Sequence, residues 1–360
     1  MTDRERRSPL HDAQAAAGGE VIFEDGWPWF TNFGDAAGEY AAIRSATGLW
    51  DLFSAIKYEV TGPDAQRLVQ RRFTNDLSTA TPGSVRYGAF VNADGKMVDD
   101  GNVYKHSDEK LWAIINSAGL EDWFRETAEG LDAQVVARTE EMPLVSATGP
   151  GSRDLLQGLT DLDLSSLTYF RFNPEPVTVA GVQATVLRTG FSGELGFEMI
   201  TDPGSAGTLW QALIDAGGKP FGLDAIEIAR VEAGLVILGV DYQPGETSPW
   251  DVSLDRVIKM ETECVGAEAL AAYGANPPKR FKTLRIEGDA VPESGASVTK
   301  DGAEVGTATS PALSPAFGPI SLAILDSSVA TEGEKVEVAG AVATVAPICI
   351  HDPDKKKPRS

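Results

Sequence analysis

Between Arg86 and His106, two runs rich in Val, Phe and Tyr flank the polar dipeptide Asp94-Gly95. That dipeptide tolerates the positive φ angles of a tight turn, so the pattern predicts two antiparallel strands joined there. A third strand is expected from Leu111 to Ile115. Upstream, residues 1 to about 19 read as a mobile arm, and the aromatic-rich stretch Val21–Phe33 as a strand and loop packed on the body. Ala36, Tyr40 and Ile43 fall at helical spacing and predict a helix over Asp35–Thr47. Gly48–Phe53 reads as a turn leading into a strand at Lys57–Val60. Further strands are expected at Val177–Val179 and Ala184–Arg188. Helices are expected over Pro203–Ala216, with Trp210 and Leu213 inward, and over Asp224–Ala233. Gly239–Trp250 reads as a loop. From about Pro277, short Val, Thr and Ala runs separated by Gly and Pro predict a small antiparallel β barrel. The basic tail Lys355–Ser360 reads as a solvated end.

Part of this pattern occurs twice. Thr61-Gly-Pro-Asp-Ala-Gln-Arg-Leu-Val-Gln70 resembles Thr148-Gly-Pro-Gly-Ser-Arg-Asp-Leu-Leu-Gln157, an offset of 87 residues (61 to 148). Thr74-Asn-Asp-Leu-Ser78 is answered by Asp161-Leu-Asp-Leu-Ser165. Proline at a first helical position fixes φ where its missing N–H is harmless, and Ala65, Leu68 and Val69 then form a buried stripe. Two related α+β units follow from this echo, with chance similarity between two common strand-to-helix starts as the competing reading.

With 360 residues the chain exceeds one ordinary core and suggests two or three domains. Lys and Arg total 31 against 53 Asp and Glu, a net charge of −22 that repels phosphate backbones and anionic lipid. Neither nucleic acid nor a membrane surface is therefore an expected partner. Cys264 and Cys349 lie far apart and outside any Cys-x-x-Cys arrangement, which predicts buried structural thiols in a reducing compartment. His11, His106 and His351 lack metal-ligand spacing, so no metal site is expected. The N-terminus has no apolar core of a secretion signal, and no run reaches the roughly 18 apolar residues of a membrane span. A cytoplasmic protein is the expectation.

The candidate chemistry starts with Asp99 and Asp100, which point to opposite faces of the second hairpin strand. One carboxylate can face solvent while the other faces whatever the sheet covers. A polar strand end explains such a pair equally simply, but Tyr87 and Tyr104 beside it offer aromatic surface and hydroxyls to a flat, polar ligand. His106 reads as a surface strand-end residue, with proton carriage beside Asp100 as the alternative. In Arg188-Thr-Gly-Phe-Ser-Gly-Glu-Leu-Gly-Phe-Glu198, the glycines permit close backbone approach at a bend. The stretch lacks the Gly-Lys-Ser/Thr of a phosphate loop and the spacing of a nucleophile elbow, so Ser192 reads as a turn residue.

Taken in order, Thr74-Asn-Asp76, Val98-Asp-Asp100, Arg188–Glu194 with Gly196-Phe-Glu198, Arg230-Val-Glu-Ala-Gly234, Ser310–Ser314 and Pro347–Asp354 resemble the glycine-cleavage T-protein family of tetrahydrofolate-dependent one-carbon transferases. The resemblance runs from about Ser8 to Asp354. It implies an α+β fold in a three-domain ring around a central hole for folate. Residues 1–54 and 143–250 would form a split first domain, 55–142 a second, ferredoxin-like one, and 277–360 the barrel. It further implies that Asp100 contacts the pterin and activates the accepting nitrogen, and that Glu198 pairs with the pterin N–H groups. Tyr87, Tyr104, Asn116, Tyr169 and Phe191 would line the folate pocket. One buried carboxylate is a natural bidentate acceptor for adjacent N–H donors.

The departures from that family lie on one side of the implied cavity. Asp51-Leu-Phe-Ser-Ala-Ile56 replaces the usual Asp-Val-Ser-His-Met-Gly, Ile226 stands where arginine is common, and Phe191 and Leu235 stand where tyrosine is usual. All of these make the donor side less polar. The leading expectation is therefore a demethylase passing a methyl group from oxygen, nitrogen or sulfur of a small-molecule donor to tetrahydrofolate. The alternatives are an aminomethyltransferase of glycine cleavage, which needs a lipoyl carrier protein, and a folate-binding accessory protein without turnover. The last lacks its signature of Lys-Gly-Cys-Tyr followed by Gly-Gln-Glu.

Overall fold

A computed structural model describes residues 5–360 apart from 25 and 260. Within it the two copies of the sequence echo fold alike, down to single hydrogen bonds. In each, a strand runs into a glycine, Gly62 or Gly149, with φ of 120° and 119°, where a Cβ would also meet a main-chain oxygen at 2.5 Å. The short helices Ala65–Gln70 and Ser152–Gln157 follow. Each ends on a glutamine that staples the next loop. Gln70 donates to the carbonyls of Phe73 and Asn75 and accepts from the N–H of Leu77. Gln157 does the same with Thr160, Leu162 and Leu164. Asp76 and Asp163 then close matching turns by accepting from the N–H groups of Ser78 and Ser165.

The sheets repeat the same plan. One sheet has the order Ser84–Val91, Met97–Lys105, Lys110–Ile115, Ile56–Thr61, Gln134–Ala137. The other runs Val177–Val179, Val182–Leu187, Gly196–Ile200, Leu144–Thr148, Gly48–Asp51, Lys219–Pro220. The first four strands of each correspond in chain order and neighbours. This second sheet buries Leu49, Val145, Ala147, Val186, Phe197 and Met199 against Leu156 and the helix Ala206–Asp215 through Leu209, Trp210 and Leu213. Burying side chains of this size stabilises by roughly 2 kcal/mol each. Strand alternation turns Trp50, Leu144, Ser146, Leu187, Glu198 and Ile200 to the opposite face, where Leu144, Leu187 and Ile200 meet Val85, Tyr104 and Trp112 of the first sheet.

The third unit is a closed antiparallel barrel of six strands, Lys279–Ile286, Gly318–Asp326, Ala303–Ser314, Ser297–Lys300, Lys335–Val338 and Ala341–Ala346. Its interior holds Leu284, Val298, Leu325, Val336, Val338 and Val345. Ala89, Val91 and Met97 of the first sheet pack with Phe281, Ile320 and Leu322 of the barrel. The helix Leu223–Ala233 joins the barrel to the second sheet, its Glu232 accepting from Ser314 Oγ at 2.6 Å and from Arg44. Three pairwise contacts thus close a ring of an α+β protein.

Several expectations change. Gly48–Asp51 is a strand inside the second sheet, not a turn. The arm expected over residues 1–19 lies partly outside the described residues. Its described part is docked, with Leu10 buried, a helix at His11–Ala16, and Ser8 and Gln14 both donating to Asp51 Oδ2. The tail is docked too. Lys357 Nζ lies 3.2 Å from Glu194, Pro358 is buried, and Arg188 donates to the Ser360 carbonyl at 2.8 Å. The remaining helices match closely, the first as Ala36–Ser45 capped by Asp35. Among the described residues no helix is long and apolar enough to cross a membrane, and no cluster of three metal-ligating side chains occurs.

Candidate active site

Met97–Lys105 lies between Ser84–Val91 and Lys110–Ile115 in the hairpin sheet, pairing Asp100 with Ala89 and Tyr104 with Trp112. Its alternation sends Asp99 and Asp100 to opposite faces, yet both are buried, at 0% and 7% exposure, so neither is the solvent-facing partner the sequence allowed. Asp99 is saturated by main-chain and side-chain donors. The N–H groups of Asp100 and Ser117 each donate at 2.7 Å, and Asn116 donates through its N–H and through Nδ2 at 2.8 Å.

Asp100 instead faces two phenols. Tyr87 donates to Oδ2 at 2.7 Å and Tyr242 to Oδ1 at 2.5 Å. Burial first, then the charge of Asp99, pushes the Asp100 carboxyl up to about 7, although both tyrosines favour its ionised form. Burial and the Asp100 charge hold both phenols protonated, Tyr242 well above the ordinary range. Asp100 is thus poised to gain or lose a proton near neutrality, while both phenols keep theirs.

Tyr242 was not legible in the sequence, where it sits in a Gly- and Pro-punctuated loop. Its neighbour Asp241 anchors that loop, accepting from Arg230 Nη1 at 2.7 Å, from Ser310 Oγ at 2.6 Å and from Thr309. An aspartate and a tyrosine in a 12-residue loop connecting two units were the available signal.

Tyr104 and Asp100 lie four residues apart on one strand face, about 13 Å along the strand. Tyr104 Oη is 3.3 Å from Thr189 Oγ1, which donates to Glu198 Oε2 at 2.6 Å. Glu198 is buried, and burial raises its pKa against the pull of Thr189 and Lys57. Among the described residues Thr189 is its only hydrogen-bond donor, leaving a buried carboxylate with spare acceptor capacity. That spare capacity fits a ligand bearing adjacent N–H groups, as a pterin does.

Hydrogen bonds therefore bring Tyr87, Asp100 and Asn116 together at one end of the strand face, and Tyr104 and Glu198 at the other. Tyr169 is half-buried against Phe170, with ring centroids 4.4 Å apart, and its phenol feels the Glu198 charge. Phe191 makes no polar contact with these groups among the described residues. It stacks on Trp50 at 6.5 Å, within an apolar wall of Trp50, Phe221 and Ile226. Trp50 and Glu198 both pair with Ser146 in adjoining ladders, so the wall and the carboxylate share one sheet face.

The remaining candidates stand apart. His106 is half-buried rather than on the surface, edge-on to Trp112 at 4.1 Å and to Phe172 at 4.8 Å. Burial lowers its pKa to about 4, so it is neutral. With Trp112 and Pro174 it lines a separate cavity of about 290 Å³. Ser192 bonds Thr148 at 2.7 Å as a turn residue, and both cysteines are buried free thiols whose pKa burial raises.

Residues 10–262 match the family described as GCVT N-terminal domain, and residues 279–349 the glycine cleavage T-protein C-terminal barrel domain. The chain is 36% identical over 352 residues to the aminomethyltransferase of Streptomyces avermitilis, covering 93% of this chain and 94% of that protein. It is 32% identical over 341 residues to the aminomethyltransferase of Thermotoga neapolitana, covering 92% and 93%. The crystal structure of the glycine cleavage system aminomethyltransferase T from Bartonella henselae superposes with a TM-score of 0.88 at 23% identity, covering 97% of this chain and 99% of that one, and so shares its fold.

Proposed function

The chain belongs to the glycine-cleavage T-protein family and is a tetrahydrofolate-dependent one-carbon transferase, and from that premise we propose that its donor is a small O-, N- or S-methyl compound. When bound, tetrahydrofolate supplies the nucleophilic nitrogen that takes up the carbon. Glu198 would grip the pterin N–H groups, with Tyr87, Tyr104, Asn116 and Tyr169 around the ring system. Asp100 takes the proton released at the accepting nitrogen. Asp100 would then return that proton to the departing heteroatom, with Tyr87 and Tyr242 holding its carboxyl in place through their hydrogen bonds. The site's proton count is then unchanged over a turnover.

The observation that carries this reading is the buried Asp100, held by Tyr87 and Tyr242 and raised by burial to about 7, which can return a proton to a poor leaving group such as an alkoxide or phenoxide. The wall of Trp50, Phe191, Phe221 and Ile226 supports it, since such a surface suits an apolar donor better than a lipoyl-borne amine. A second reading, aminomethyl transfer from a lipoyl carrier protein with release of ammonia, is supported by the name aminomethyltransferase that the relatives carry. On names alone it is the better supported of the two.

One assay separates them. Purified protein is incubated with tetrahydrofolate and methoxyaromatics, betaines or sulfonium compounds, and in parallel with aminomethylated H-protein. Formation of 5-methyltetrahydrofolate from a methyl donor without ammonia release is the expected result. Rapid ammonia release from the carrier protein establishes the second reading instead. Folate binding without transfer from any donor leaves the accessory role.

A further inference from the structure

The barrel reaches the proton-handling carboxyl through one residue. Tyr242, whose hydroxyl donates to Asp100 Oδ1 at 2.5 Å, follows directly on Asp241 in the chain. Asp241 is buried, and donors fill its carboxylate from two sides. Oδ2 accepts from Arg230 Nη1 at 2.7 Å and from the N–H of Ile237 at 2.9 Å. Oδ1 accepts from Ser310 Oγ at 2.6 Å and from Thr309 Oγ1, whose other acceptor is the Leu322 carbonyl at 3.3 Å. Thr309 and Ser310 are neighbours on the barrel strand Ala303–Ser314, and in a regular strand neighbours point to opposite faces. Here the register slips between Ala308 and Ser310, leaving Thr309 outside the ladder with Gly318–Asp326. That bulge turns both hydroxyls onto one carboxylate oxygen, and bulges beside functional sites re-aim side chains in this way.

We propose that Thr309 and Ser310 are positioning residues for the reaction: by holding Asp241 they keep the Tyr242 hydroxyl on Asp100, so the barrel completes the proton-handling group. The proposal rests on the reading that Asp100 handles the transferred proton. The groups facing Asp100 are Tyr87 from the adjoining strand, Asp99 on its own strand, the Asn116 amide at 3.4 Å, and Tyr242 with Asp241 from the loop. Behind Asp241 stand Arg230 and its second partner Glu227. Tyr242 donates to the carboxylate and so favours the ionised form.

The test is Thr309→Val combined with Ser310→Ala, which removes both hydroxyls at nearly constant volume. Asp100 is titrated through its infrared carboxyl band, identified by its loss in Asp100→Asn, so the measurement needs no methyl donor. The midpoint is expected to rise by about one pH unit, as for one lost hydrogen bond to a carboxylate, and Tyr242→Phe alone is expected to raise it at least as far. Adding the two barrel substitutions to Tyr242→Phe is expected to move it no further. An unmoved midpoint in the barrel variant or in Tyr242→Phe overturns the proposal. So does an equal rise with Tyr242 already replaced, since the hydroxyls then act by another route. Should the combined variant not fold, Ser310→Ala, which leaves Thr309 on Oδ1, is read the same way: a smaller rise supports the proposal and none overturns it. If Asp100→Asn leaves the transfer rate unchanged, the catalytic reading of Asp100 fails, while the titration still decides whether the barrel holds Tyr242 in place.

Discussion

Asp100 gathers its partners from three places: Tyr87 from the adjoining strand, the Asp99 charge from its own strand, and Tyr242 from a loop 142 positions on. As a proton acceptor it must be ionised, so transfer is expected to rise with pH through about 7. Asp100→Asn is expected to slow transfer by roughly 100- to 10,000-fold, abolish that limb and leave folate binding intact, read from kcat against pH and from calorimetry. Stability shares the dependence. A carboxyl raised by folding favours the folded state fully below its ordinary value and loses that contribution as pH rises through about 7, and the asparagine variant is expected to lack this slope in pH-dependent unfolding. Asp100, Tyr87 and Tyr104 were legible because the alternation of paired strands places them on one sheet face. Tyr242 was not, because nothing local in a loop announces a partner so distant in sequence.

At the level of elements, the repeat was readable because both copies need the same physical parts: a glycine in a left-handed bend, a short helix, a terminal glutamine. The Gln157 amide satisfies two carbonyls and the N–H of Leu164. Gln157 is exposed, so in Gln157→Ala water replaces much of its amide, and the expected cost is about 0.5–1.5 kcal/mol, measured as a shift in denaturant midpoint at constant slope. Gly48–Asp51 reads as a turn because a glycine and an aspartate bracket just two residues. The glycine is there for close packing: a Cβ would lie 2.6 Å from the Phe221 ring. The basic tail looked solvated for a similar reason, since the buried Glu194 that attracts Lys357, His351 and Arg44 lies far away in sequence.

Across the whole molecule, Glu232 ties the units together. Its carboxylate accepts from Ser314 at 2.6 Å, Tyr40 at 2.7 Å and Arg44 at 2.6 Å, while its carbonyl accepts from the N–H groups of Ile350 and His351. Glu232→Ala strands the Arg44 guanidinium without its main anion, and an expected loss of about 3–5 kcal/mol would be read by thermal or denaturant unfolding. A transition splitting into two steps would show the barrel uncoupling from the rest.

The duplicated frame also sets how many ligands one chain can hold. In one sheet Glu198 pairs with Ser146; 87 positions earlier, Glu59 stands at the Ser146 place and pairs with Trp112. Where one copy offers an acidic cradle, its twin presents an indole, with His106 packed against it. A tryptophan occupies the twin position, so on the proposal that Glu198 grips the pterin, titration calorimetry is expected to saturate at a single equivalent of tetrahydrofolate per chain.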